Sequence, residues 1–584
     1  MEKVYLCMAK ILNEFRINKF NSGLNTADSS LTMPDSDLVI AENVEFIPTG
    51  GVKSINPPLS KTVDVYVNSI KATKALGGCV FNGKKYVVYS NGTNARWMYL
   101  DTCKGITAFA DAGGGYVTAT SISHGLETGH VITIVSTEYS GTYTITKLTV
   151  DTYKFIHAFT VNDTGTVSNG LFKESSSNNL DPDALVECQV YDGKLWFLNG
   201  TTTSISAANC VIGFIDTSNT MTGLTTAQCG LPTGLNSIQL HLQRIVVAGL
   251  NYLYLSKVKP AANAFDWDVT TAYTGADTAG YFIIDNNTED FIQELKMKFG
   301  MLIVYRRFSV WLLQGATVSQ MFITKQTNSY TGVRAKRSVA QAGIVDYFLG
   351  NEGVKTFNGQ TVKEGTTNVD TISTDTLDRK IKSIVDLFTS QTTCVGYAFR
   401  DKYYLSDIAS KILVFDEVTG GWSQFTSSGA ELFLEQDGLL YFAKGFQFYQ
   451  INADSSGSIT SAIKTKDFNA GSDVFWKTFH KMIITLVSSA NASTFILDWY
   501  LSGASQHSGS QSVSLISNLS TWDSGLTWDS RDVRWDTGII DFAQKKINKL
   551  RSGMTISFGI TATGTNRFNL DGLSVLFETI RREV

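Results

Sequence analysis

The feature that most constrains this chain is a unit that keeps returning: two short apolar strands joined by a very tight turn. It appears in GGCVFNGKKYVVYSNG at Asn82-Gly83, in VECQVYDGKLWFLNG at Asp192-Gly193, and in LHLQRIVVAGLNYLYLS near Leu250-Asn251. It returns in LKMKFGMLIVYRRFSVWLLQG near Phe299-Gly300, VDYFLGNEGVKTFNG at Glu352-Gly353, VGYAFRDKYYLS at Arg400-Asp401 and LFLEQDGLLYFAKGFQFYQI at Asp437-Gly438. Two-residue hairpin turns need positive φ at their centre, so Asn-Gly or Asp-Gly between alternating apolar residues is a strong local signal. From the third unit on, the turns recur roughly every 35 to 50 residues, the period of a propeller blade. Sheets that cannot bury both faces alone bury them against one another around an axis. The expectation is an all-β chain built on a β-propeller of six or seven blades; unrelated hairpins in a sandwich are the alternative.

Between the first two units the period breaks. Residues 104–170 alternate strictly in YVTATS, VITIV and TYTIT, with glycine at the turns, which predicts a small inserted β-barrel or sandwich. The propeller then spans 61–103 and 171–454. Beyond 455 the strands KMIITLV, STFILDWYL, TISFGITAT and GLSVLFETI predict a separate C-terminal β domain over 455–584. Residues 1–60 read as a docking segment with a short helix, Leu38 to Glu42, capped by Ser36-Asp37.

Composition narrows the function. Charged residues are only 17% of the 584, against roughly 25% in an average domain. The net charge of −4 argues against a protein that grips nucleic acid, though not against a channel that DNA passes through. The seven cysteines are scattered and never spaced as CxxC, so free thiols in a reducing cytoplasm are expected, with neither zinc nor disulfides. The first twenty residues include Glu2 and Glu14 and no long apolar run, so no signal peptide is expected. No apolar run approaches the length of a membrane span.

The motifs of catalysis are missing: there is no GxSxG, HExxH, P-loop or GxGxxG after a strand. His124 and His130 flank a Gly-rich turn, and without a third ligand they read as turn residues on a surface module. TWDSGLTW, Thr521 to Trp528, resembles the Asp-box hairpin of sialidase-like propellers. Asp523 would bond its own turn, while Trp522, Trp528 and Trp535 would anchor packing. Carboxylate neighbours such as Asp266/Asp268 and Glu289/Asp290 are too common to signify. No catalytic, cofactor-binding or metal residue is predicted.

One charge pattern is less ordinary. Residues 261–295 hold seven acids and no Lys or Arg, while residues 296–337 hold eight positive charges and no acid. Either these pair between neighbouring blades, or the acidic segment of one subunit meets the basic segment of the next. The second reading makes Asp285, Glu289, Asp290, Arg306 and Arg307 an inter-subunit interface.

The opening stretch FNSGLNTADSSLTMPDSDLVIAENVEFIPTGGVKSI, Phe20 to Ile55, resembles the start of phage tail nozzle or tail-stabilisation proteins. The likeness is carried by Gly23, Leu24, Asn25, Thr26, Pro34, Ala41, Asn43, Val44, Gly50 and Gly51. It extends through Leu240 to Trp267, Leu302 to Gly315, Tyr347 to Gly359 and Ile412 to Phe425 in the same order. HGLETGHVITI with YSGTYTI is similar to a small β module of phage structural proteins, although His130 and Ser140 stand where that module has Asp and Asn. The resemblance implies a non-enzymatic virion protein of a short-tailed bacteriophage, made in the host cytoplasm. It would form a homohexameric ring below the portal and adaptor, near the tail fibres. Viral DNA would pass through without specific binding. A carbohydrate-binding or depolymerising tail propeller, or the hub of a long-tailed phage, are the rival readings.

Overall fold

A computed structural model describes residues 12–580 apart from 176–179, 200–210, 225–228, 258–266, 268–278, 316–321, 326–331, 344, 352, 358–376, 427, 472–474, 488–492, 503–507 and 516–541. The Asp-box tryptophans and Asp266/Asp268 therefore lie outside the described residues. No helix among the described residues is long and apolar enough to cross a membrane.

The described residues form a β-propeller of seven blades, with further sheets attached. Blade 1 is Lys74–Phe81, Lys84–Ser90, Ala95–Thr102 and Gly170–Glu174. Blade 2 is Val186–Tyr191, Lys194–Asn199, Ile212–Ile215 and Met221–Leu224; blade 3 is Ser237–His241, Arg244–Gly249, Tyr252–Leu255 and Gly280–Ile283. Blade 4 is Ile292–Lys298, Met301–Arg306, Val310–Gln314 and Phe322–Lys325, and blade 5 comprises Ala340–Ala342, Val345–Gly350 and Gly353–Phe357. Blade 6 is Val395–Ala398, Lys402–Ser406, Ile412–Asp416 and Gly421–Phe425. Blade 7 takes three strands from Leu432–Gln436, Leu439–Lys444 and Gln447–Gln450; its fourth is Leu59–Ser60, from the other end of the chain.

That borrowed strand closes the ring, and blade 7 then packs on blade 1. Leu432, Leu434, Ala443 and Phe448 share a core with Ala75, Val87, Tyr89 and Phe172. Around the axis neighbouring blades come unusually close. A Cβ on Gly77 would stand 2.0 Å from the Val186 carbonyl oxygen, and one on Gly396 would stand 2.2 Å from that of Ser338. Only glycine permits that approach.

The turns between first and second strands lie together at one end of the axis and lock blade to blade. Tyr191 donates to the Gln243 carbonyl at 2.9 Å, Arg400 to that of Gly438 at 2.7 Å, and Gln436 to that of Gly83 at 2.8 Å. Asn82, Asp192, Phe299, Arg400, Asp401 and Asp437 all have positive φ, as the turn chemistry required. Two of the sequence-predicted turns belong elsewhere. Leu250-Asn251 and the turn before Gly353 join second to third strands, whereas the first turns of blades 3 and 5 fall at Leu242-Gln243 and near Gly343.

The insertion leaves blade 1 after Thr102 and returns at Gly170, which pairs with it. It forms two small sheets around Phe109, Val117, Ile132, Ile134, Tyr139, Tyr153 and Phe155.

The N-terminal segment departs most from expectation. It runs as β1 (Asn13–Ile17), β2 (Gly23–Leu24), β3 (Asp37–Glu42), β4 (Val44–Phe46), β5 (Val52–Ser54) and β6 (Leu59–Ser60). The helix expected over Leu38 to Glu42 is a strand. Branched Val39 and Ile40 favour extended backbone, β3 pairs with both β2 and Ser461–Thr465, and Asp37 binds Asn25 and Lys380 instead of capping. Nor is the C-terminal region separate. β3 bridges Gly421–Phe425 of blade 6 to Ser461–Thr465, so blade 6 continues into Ile556–Ala562, Ser493–Leu501 and Gly509–Leu515 as one ten-stranded sheet. A second sheet, centred on Trp476–Val487 between Phe542–Gly553 and Asn569–Ile580, also takes in β1, β4 and β5. Met482, Ile484, Phe495, Leu497, Phe558, Ile560, Leu573 and Val575 fill the space between.

Candidate functional site

Three of the five residues expected at a subunit interface, Asp285, Asp290 and Arg306, come together within one chain. Arg306 ends the second strand of blade 4 with its side chain fully buried. Its guanidinium lies 3.5 Å from Asp285 and 3.6 Å from Asp290, and donates to the Asn251 side chain at 3.0 Å and the Asn287 carbonyl at 3.1 Å. Asp290 is also buried, and it accepts from the Phe308 amide and the Ser309 hydroxyl. These two charges are consumed in bracing blade 4 against the turn of blade 3, which leaves neither for a neighbouring subunit. Arg307 and Glu289 are exposed, and Asp285 is half-buried.

The propeller axis holds a cluster that sequence reasoning missed. Glu187 comes from blade 2, Glu294 and Lys296 from blade 4, and Lys336 and Arg337 from the 3-10 turn ahead of blade 5. They line a cavity of about 430 Å³ with Cys79, Cys188, Tyr397 and Phe433. Lys336 reaches Glu187 at 3.3 Å across the axis, and Lys296 meets Glu294 at 3.1 Å. Burial opposes the Glu187 carboxylate, but Lys336, Arg337 and Lys296 outweigh it and hold its pKa below the ordinary value. Burial instead dominates at Glu294, pushed up to about 7 against the pull of Lys296. The Cys188 thiol is raised by its hydrogen bond with Cys79 and by burial, and both cysteines are free. A wider cavity of about 660 Å³ over the turns of blades 5 to 7 shares Gln341, Ala398 and Glu435 with the axial one and forms its mouth.

The histidines singled out from the sequence are buried, not on the surface: His124 is 1% and His130 2% exposed. The imidazoles satisfy their own turns. Nδ1 of His124 accepts the Leu126 amide at 2.9 Å, and Nδ1 of His130 accepts that of Glu127 at 3.1 Å. No group of three or more metal-ligating side chains occurs among the described residues. Burial drives His130 down from 6.5 to about 4. Burial and the nearby Arg244 charge do the same to His241 in blade 3.

An acid-stability prediction follows. In the window from about 6.5 down to about 4 the unfolded chain binds protons at these positions and the folded chain does not, so stability falls as pH falls. At about 1.4 kcal/mol per pKa unit, each histidine withdraws on the order of 3 kcal/mol by the bottom of that window. Urea melts at pH 7 and pH 4 check this: His130→Gln should recover a clear part of the loss. An unchanged pH dependence in that variant would refute the assignment.

No protein-family model and no curated protein matches the chain. Among solved structures, similarity is found to the Neurospora crassa Pan2 WD40 domain, at TM-score 0.31 and 9% identity, over 65% of this chain and 88% of that one. BamB from Moraxella catarrhalis matches at 0.32 and 8%, over 76% and 97%. Citrobacter koseri AztD matches at 0.24 and 12%, over 61% and 96%. Scores this low carry no argument, and the propeller assignment stands on the order of the sheets.

Proposed function

We propose that this chain is a structural protein of a bacteriophage tail, a nozzle or hub subunit. Copies of it would form a ring-shaped conduit below the portal and adaptor that retains the genome and then releases it. One observation carries the reading. The N-terminal residues that resemble the nozzle proteins are the ones that weld the propeller to the C-terminal sheets. Gly23 lies against the Trp422 backbone of blade 6, and Thr26 meets Lys380 and Ser383 of the helix Leu377–Asp386. Asn43, at φ 53°, ties Thr426 to Thr460 through its side-chain amide. A body welded in this way transmits force without hinging, which suits a mechanical part better than an enzyme that must open. The conduit would lie between copies and not along the propeller axis, because inner strands in backbone contact and a bridging Lys336–Glu187 pair leave no passage for a duplex.

Immunogold labelling of intact particles tests the proposal. Label at a short tail beneath the portal vertex is the expected result. Label on peripheral fibres or spikes would overturn it in favour of a glycan-binding propeller, and label at the tip of a long tail would favour the hub of a long-tailed phage.

A further inference from the structure

We propose that the axial cavity is a binding site for a small oxyanion, a carboxylate or phosphate group, held by Arg337 with Lys336 and Lys296. The cavity is lined by three cations and three carboxylates; Lys336 takes Glu187 and Lys296 takes Glu294, while Glu435 lies where the cavity meets the wider one. Among the described residues, Arg337 has no hydrogen bond and no carboxylate within the 4 Å of an ion pair, although Glu187 and Glu294 act on it from farther away. Arg337 is half-buried, and the planar fork of its guanidinium matches two oxygens of one anion. The cavity's volume, about 430 Å³, lies within the range of small-molecule sites.

The second, independent sign is Glu294. One of its oxygens is buried with no hydrogen-bond partner, while the other faces Lys296. Protonated, that carboxyl becomes a donor to an incoming oxyanion; ionised, it repels one. The groups facing it are Lys296 on its own strand, Glu187 from blade 2, and Lys336 and Arg337 from the 3-10 turn, with Tyr305 and its partner Asp346 behind. Oxyanion binding near neutral pH is therefore coupled to proton uptake at Glu294. The mouth disfavours polyanions, because Asp401, Glu417 and Glu435 outnumber Arg400 along the approach. A small anion passes them at moderate salt; a nucleic-acid strand is turned away. The inference does not depend on the tail reading.

The test is isothermal titration calorimetry of the full chain at pH 7, with inorganic phosphate and with succinate as separate probes. Saturable binding of at least one probe is expected, with heats that vary with buffer ionisation enthalpy in the sense of proton uptake. Binding of phosphate alone assigns a phosphate ligand; binding of succinate alone or of both assigns a carboxylate or a general oxyanion site. Arg337→Gln should weaken binding at least tenfold, and exposed Arg307→Gln should leave it unchanged. Should Arg337→Gln not fold, Arg337→Lys keeps the charge without the fork and should still bind several-fold more weakly. No saturable binding of either probe, or equal affinity in the Arg337 variants, would overturn the proposal.

Discussion

Asp346→Ala is expected to cost the propeller about 3 to 5 kcal/mol, the range for removing one partner of a buried ion pair. Asp346 stands on the second strand of blade 5, fully buried. It takes the Lys298 ammonium at 2.8 Å on one oxygen and the Tyr305 hydroxyl at 2.5 Å on the other, both from blade 4. Lys298 also donates to the Phe357 carbonyl at 3.3 Å, so one cation and one carboxylate sew two blades together. Alanine leaves the ammonium in a dry seam without a countercharge, and burial has already pushed the Tyr305 phenol far above its ordinary pKa. The seam should open before the rest of the ring, visible as early loss of amide protection in Met301–Arg306 and Val345–Gly350. The double variant Lys298→Met/Asp346→Leu should recover most of the loss, since apolar groups of similar size need no partner. Urea midpoints for the three proteins decide it. A single variant within about 1 kcal/mol of the parent would show that the pair is not what holds this boundary.

Gly23→Ala should be nearly as damaging, for a reason of shape. Gly23 has φ +78°, and a Cβ there would lie 2.3 Å from the Trp422 amide nitrogen and 2.7 Å from its carbonyl oxygen. Both clashes are with backbone of a fully packed blade, so no side chain can swing aside. The left-handed conformation alone costs about 1 kcal/mol or more for alanine, and displacing β2 from Trp422 adds about twice that. Because β2 and β3 hold the joint between blade 6 and the C-terminal sheets, the damage should appear as their uncoupling. Calorimetry should then resolve two transitions where the parent shows more closely merged ones. Gly83→Ala is the comparison: it also has positive φ, but nothing lies within 4 Å of its Cβ position. Equal losses in the two variants would mean that the contact with Trp422 contributes nothing.

The hairpins were legible in the sequence because a two-residue turn is a local matter. Asn82-Gly83, Asp192-Gly193 and Asp437-Gly438 adopt positive φ for reasons contained in four residues, and the alternation around them sets which side chains face the core. Their repetition pointed to six or seven blades, and alternation within 104–170 pointed to an inserted module. The N-terminal signature was legible as a pattern but not as a function, since Gly23, Asn25 and Asn43 acquire their roles only from Trp422, Asp37 and Thr426.

Tertiary structure alone decided the rest, wherever the deciding contact lies far away in the chain. Branched Val39 and Ile40 only lean Leu38–Glu42 towards a strand until Ser461–Thr465 pairs with it, and nothing in Leu59–Ser60 announces a strand of blade 7. Arg306 read as an interface charge because a pattern of signs does not reveal burial; Asp290 meets it within blade 4, but Asn251 and Asp285 meet it only after blades 3 and 4 have packed. The axial cluster gathers Glu187, Glu294, Lys296, Lys336 and Arg337 from three separate segments. Closing a ring brings the first strand of every blade to one axis whatever charges it carries, so the composition of that axis is fixed by long-range geometry and leaves no local trace.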